Sequence, residues 1–196
     1  MALKNLVENL FGIFIFLILW IALNGCEHNR NSKSDGQNTN QKDSILGFER
    51  LKLRIDSLER RLALDSLSQE NNASLLDTLG TVCVELANCY QNTPDAPVAL
   101  WKATRAFRAA GSFPQAIECA KALTDAYPQH DLAPSALYFN ALIFNEDLEN
   151  IASAEFYLDR LLDEYPTDSL APQAKAMKGL LGLNDQELLR KIDKGK

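Results

Sequence analysis

Four cysteines and two histidines are the side chains of this 196-residue sequence best suited to nucleophilic, redox or metal chemistry. Their spacing decides which of it is open to them. His28 and His130 stand alone, one in a polar stretch and one in a short segment between two apolar runs, where a solvated imidazole is the default. Cys83 and Cys89 are six residues apart. On a helix that separates them by about 9 Å along the axis and about 120° around it, too far to bridge or to share a metal. Cys119 could pair with either. Small apolar side chains in a helical core are the reading that free cysteine favours. No His/Cys cluster has metal-ligand spacing, no Gly-rich loop could cradle a phosphate, and no nucleophile elbow occurs. Asp163-Glu164 reads as a solvated helix face rather than an acid/base pair. The expectation is a protein that is not an enzyme and needs neither metal nor cofactor.

The fourth cysteine, Cys26, has a different setting. It follows a start containing Lys4, an apolar stretch from Phe11 to Leu23, and then Asn24-Gly25. A bilayer-spanning helix takes about 20 apolar residues, so a stretch this short reads as a cleaved signal, residues 1–25. Leu23-Asn24-Gly25-Cys26 resembles the lipobox of bacterial lipoproteins, with Asn24 departing from the usual small residue. That resemblance implies a diacylglyceryl thioether on Cys26 and acylation, such as palmitate, of the new N-terminus. Two or more acyl chains hold a protein stably at a bilayer.

Cleavage removes one Lys and one Glu from the signal, leaving the net charge at −6. No basic stripe invites nucleic acid. The remaining apolar content suffices for one small domain. Glu27 to Ser44 carries no apolar residue, and 26–44 is expected to be a lipidated Cys followed by a disordered linker.

Helical periodicity begins in 45–70. Phe48, Leu51, Ile55, Leu58 and Leu62 alternate at spacings of three and four, with Lys52, Arg54, Glu59 and Arg61 flanking them. This is a coiled-coil-like seam of about two heptads, because it fails at Asp65 and Gln69. Homo-oligomerisation and packing back onto the rest of the chain satisfy it equally.

From Ser74 the chain repeats. Tyr90, Tyr127 and Tyr165 are each followed six residues later by Ala-Pro-x-Ala, at Ala96, Ala133 and Ala171. The tyrosines stand 37 and 38 residues apart. A fixed period in this range marks a solenoid of stacked supersecondary units. Each interval holds two amphipathic helices, Pro97 to about Gly111 and Phe113 to Tyr127, then Pro134 to about Asp147 and Ile151 to Tyr165. Ser74–Tyr90 aligns with the returning helices and Pro172–Leu183 with the outgoing ones, and Asp185–Asp193 reads as a short closing helix. The predicted fold class is all-α, a short α-solenoid over 74–194 preceded by the coiled-coil-like helix.

Gly111-x-Phe113-x-x-Ala116 followed by Tyr127-Pro128 resembles the second half of a tetratricopeptide repeat. The second unit keeps Ala154 and Tyr165-Pro166, with Glu149 where the turn Gly belongs. The long period is similar to that of lipoproteins of the BamD and CpoB types. That resemblance implies helical hairpins whose outgoing helices line a protein-binding groove, here Trp101, Arg105 and Arg108 of the first unit and Phe139, Ile143 and Glu146 of the second. Trp101 and the arginines are of the types that dominate binding hot spots. Packing of Trp101 on the preceding helix and plain solvation of the arginines are the competing structural readings. The functional expectation is a lipid-anchored adaptor of the bacterial cell envelope. It would face the periplasm from the outer membrane and bind other envelope proteins or peptides, in outer-membrane protein assembly or division machinery. The competing function is a structural lipoprotein that oligomerises through the 48–62 helix.

Overall fold

The computed structural model describes residues 37–65 and 72–183. The signal, Cys26, His28 and the expected closing helix at 185–193 lie outside the described residues. The chain divides into two compact units at Gly47/Phe48. Of the first, the described part is the start of helix α1 (Gln37–Asp65); the rest of α1 and all later elements belong to the second. Among the described residues every regular element is helical. After α1 come α2 (Ala73–Cys89), α3 (Asp95–Ala110), α4 (Phe113–Ala126), α5 (Ala133–Leu142) with a π-turn over Ile143–Asp147, α6 (Ile151–Glu164) and α7 (Ala171–Lys178). The all-α class is therefore observed, and from α2 on each helix packs against the next.

Three backbone units repeat. Tyr90, Tyr127 and Tyr165 each end a helix in nearly the same conformation, with φ of −128°, −131° and −132°. Each donates its N–H to a leucine carbonyl one turn back, Leu86, Leu123 or Leu161, and those leucine side chains are buried. Each Tyr carbonyl then accepts from the residue three on (Thr93, His130 or Asp168), whose own carbonyl accepts from Ala96, Ala133 or Ala171. Those alanines, and Ala99, Ala136 and Ala174 a turn later, are buried. A larger side chain there would force the helices apart. Pro97, Pro134 and Pro172 sit in the first helical turn, where no intrahelical N–H is lost.

The units differ by one residue, and the structure locates it. Ala96 to Gly111 is 15 residues, whereas Ala133 to Glu149 is 16. Gly111 (φ 81°) closes α3 in the left-handed region, with Ser112 N–H bonding to the Phe107 carbonyl. Glu149 (φ 52°) occupies the matching left-handed position, but Asn150 N–H reaches back one residue further, to Phe144. The extra residue is absorbed as the π-turn, the usual way a helix accommodates a single insertion.

Helix α1 starts at Gln37. The linker expected over 26–44 is thus helical in its last residues: polar residues such as Gln41 and Lys42 extend a helix at little cost once an apolar segment beyond has nucleated it. The seam is packed within the chain. Ile55 and Leu58 are buried, Phe48, Leu51 and Leu62 pack beside them, and the rings of Phe48 and Tyr90 meet edge to face at 5.0 Å. Lys52 pairs with Asp95 at 3.1 Å and Glu59 with Lys102 at 2.7 Å. Both pairs have the same sequence offset, so α1 runs parallel to α3.

Cys83 and Cys119 are buried thiols, and burial pushes each up to about 12. Cys89 is exposed, contrary to the expected core placement. Its rotation from Cys83 around α2 carries it off the buried face.

Candidate protein-recognition groove

Helix α3 carries most of the expected site. Its position follows from packing on both sides: Ala99, Leu100, Ala103 and Phe107 are buried, which leaves Val98, Arg105 and Ala109 exposed and Trp101, Lys102 and Arg108 half-buried. Phe107 fixes how closely α2 approaches. A Cβ on Gly80 would stand 2.7 Å from its ring, so only glycine fits there.

Trp101 and Phe139, from consecutive units, meet edge to face with centroids 5.2 Å apart. The guanidinium of Arg108 lies over the other ring of that pair, 5.0 Å from the Phe139 centroid. Its Nε donates to Asp147 and its Nη2 to Glu146, both at 2.6 Å. Burial pulls the Arg108 pKa down, and the two carboxylates more than offset this, so it ends above its ordinary value. Successive residues of an α-helix diverge by about 100°, yet Glu146 and Asp147 both reach one guanidinium. The π-turn that ends the helix there brings them together.

The structure therefore joins Trp101, Arg108, Phe139 and Glu146 into one cluster. Arg105 sits on the exposed side of the same helix, with no ion pair or hydrogen bond among the described residues. Ile143 is not part of this surface. It is fully buried, because it starts the π-turn at a core-facing position, and it cannot meet a ligand without unfolding the turn. The spacing of the sequence missed Lys102 and Asp147. Asp147 had a signal, the one-residue difference between the two repeat periods, whereas Lys102 had none, since its partner lies on α1.

An open cleft of about 890 Å³ runs along α3. Its floor is Ala106, Ala109, Ala110 and Gly111, its apolar walls are Phe113 and Phe139, and Lys102, Arg105 and Arg108 border it. A floor of small side chains lets a partner backbone come close. A second cleft between α1 and α2 is lined by Arg54, Asp77, Thr78, Thr81 and Glu85. Much of its polarity is spent internally: Thr78 and Thr81 donate to the Ser74 and Asp77 carbonyls, and Asp77 accepts from Ser112. The cleft on α3 is the better candidate for recognition.

His130 has a structural use. Its Nδ1 accepts from the Leu132 N–H, as the Asp168 carboxylate does from Leu170 one unit later. Among the described residues no three His, Cys, Asp or Glu side chains gather where a metal could bind, and no helix is long and apolar enough to cross a membrane. Comparison with protein families, with curated proteins and with solved structures gives no match.

Proposed function

We propose that the chain is a lipid-anchored adaptor of the bacterial envelope, not an enzyme, whose tetratricopeptide-like solenoid docks another envelope protein along α3. Cys26 is its anchor, resembling the lipidated cysteine of bacterial lipoproteins, and the outer membrane facing the periplasm is its place. The observation that carries the reading is the cleft on α3, where a half-buried Trp101–Phe139 pair adjoins an open floor of small residues. Aromatic side chains beside a desolvated groove are typical anchors of protein interfaces.

The test is a photoreactive residue at Ala109 of the full-length protein in intact cells. The expected result is an adduct with an envelope protein that Trp101→Ala removes. If a photoreactive residue at the exposed Lys121 of α4 yields the same adducts, the groove assignment fails. The anchor is tested separately: an alkyne palmitate analogue should label the wild type and not Cys26→Ser.

A second reading has its own observation. The 48–62 seam expected to drive oligomerisation is occupied by the chain itself, but Leu53 and Leu64 are 63% and 71% exposed on another face of α1. Self-association through that stripe would appear as a dimer in analytical ultracentrifugation of a soluble form beginning at Glu27. A monomer that Leu53→Ser leaves unchanged removes this reading.

A further inference from the structure

We infer that the segment docking on α3 is acidic, and that it places a carboxylate on Arg105 and an apolar side chain between Phe113 and Phe139. The inference rests on the groove reading above and adds the chemistry of the partner. It comes from the charges around the cleft. Lys102 is neutralised by Glu59 and Arg108 by Glu146 and Asp147, at 2.6–2.7 Å. These five groups hold one another, so neither their positive nor their negative charges are open to a ligand. Arg105 remains, exposed on the same helix and lining the same cleft, with its five donors uncommitted.

An unpaired guanidinium beside a low-polarity floor selects a planar anion that can accept two parallel hydrogen bonds, and a carboxylate does so. A basic segment is disfavoured because Glu59, Glu146 and Asp147 are already used. A polyanion is disfavoured too: a nucleic acid or a row of lipid phosphates would bring many charges against those same three acids and against a chain of net charge −6. The site thus fits one or two carboxylates in an otherwise apolar or neutral segment. Ala106, Ala109 and Gly111 leave room for its backbone.

The experiment maps the adduct formed by the photoreactive residue at Ala109 in full-length protein and sequences the crosslinked peptide. An Asp or Glu should stand within about one helical turn, four residues, of the crosslinked position. Arg105→Glu should lower adduct yield at least fivefold, Arg105→Lys should keep most of it, and changing the partner's acid to Lys should restore the yield to Arg105→Glu. An adduct that forms equally with Arg105→Glu overturns the acidic partner while leaving the groove in place. The absence of any adduct from Ala109 overturns the groove reading itself, and this inference with it.

Discussion

The hydroxyl of Tyr165 donates to the carbonyl of Pro128 at 2.7 Å, and one unit earlier Tyr127 donates to Gln91 at 2.8 Å. Each acceptor immediately follows the tyrosine of the preceding unit, so each unit is tied to its predecessor at the same point. Tyr127→Phe and Tyr165→Phe should each cost about 0.5–1.5 kcal/mol, the net worth of one hydrogen bond. Urea denaturation checks this, the midpoint falling with an unchanged slope.

The two left-handed positions should respond in opposite directions. Gly111→Ala meets no neighbouring atom within 4 Å, so its cost is backbone strain alone, about 1 kcal/mol or somewhat more. Glu149→Gly relieves the same strain and should stabilise by up to about 1 kcal/mol, less the added freedom of the unfolded chain. Thermal unfolding of both variants beside the parent measures the contrast.

The clamp on Arg108 depends on a planar fork reaching two carboxylates. Arg108→Lys keeps the charge but loses the fork and should cost about 1 kcal/mol, and Arg108→Ala about 2 kcal/mol, both reduced by partial exposure of the site. The Lys variant should recover little of its loss at low ionic strength, which separates geometry from charge. Urea midpoints at two salt concentrations decide it.

Stability should fall steeply in alkali. Cys83 and Cys119 are raised by burial from 9.0 to about 12, so the folded state resists forming their thiolates. A raised folded value means that their contribution is complete below pH 9 and is lost as the pH climbs from 9 through about 12. Burial also raises the phenols of Tyr127 and Tyr165, which adds to the loss above pH 10. Cys83→Ala should retain a larger share of its pH 8 stability at pH 11 than the parent does, as read from urea midpoints.

Much of the helical order was legible because Tyr and Ala-Pro-x-Ala each have a fixed local use, as a helix end, a turn and a close contact. The helix starts near Pro97 and Pro134 therefore fall within two residues of the observed ones. The π-turn was not legible, because it depends on where one inserted residue is absorbed, and only the opposing Arg108 shows why that place is tolerated. Ile143 was assigned to the groove on ordinary helical spacing, which the π-turn breaks. The direction of α1 was open as well: two heptads of seam fit a second chain or the same one, and only Asp95 and Lys102 on α3 reveal which. In the site, the aromatic and cationic types on α3 were readable, while their pairing across units was not.

The parallel register of α1 and α3 has a mechanical consequence. A pull reaching Phe48 from the N-terminal side meets the Phe48–Tyr90 contact first, then Lys52–Asp95, then Ile55 and Leu58, and finally Glu59–Lys102. The helix would peel one layer at a time at low force instead of shearing all layers together. The last layer to give way includes Lys102, which borders the cleft on α3. Tension along the tether would therefore be felt in the groove only after the rest of the seam had opened, which makes α1 a shock absorber for whatever the groove is holding.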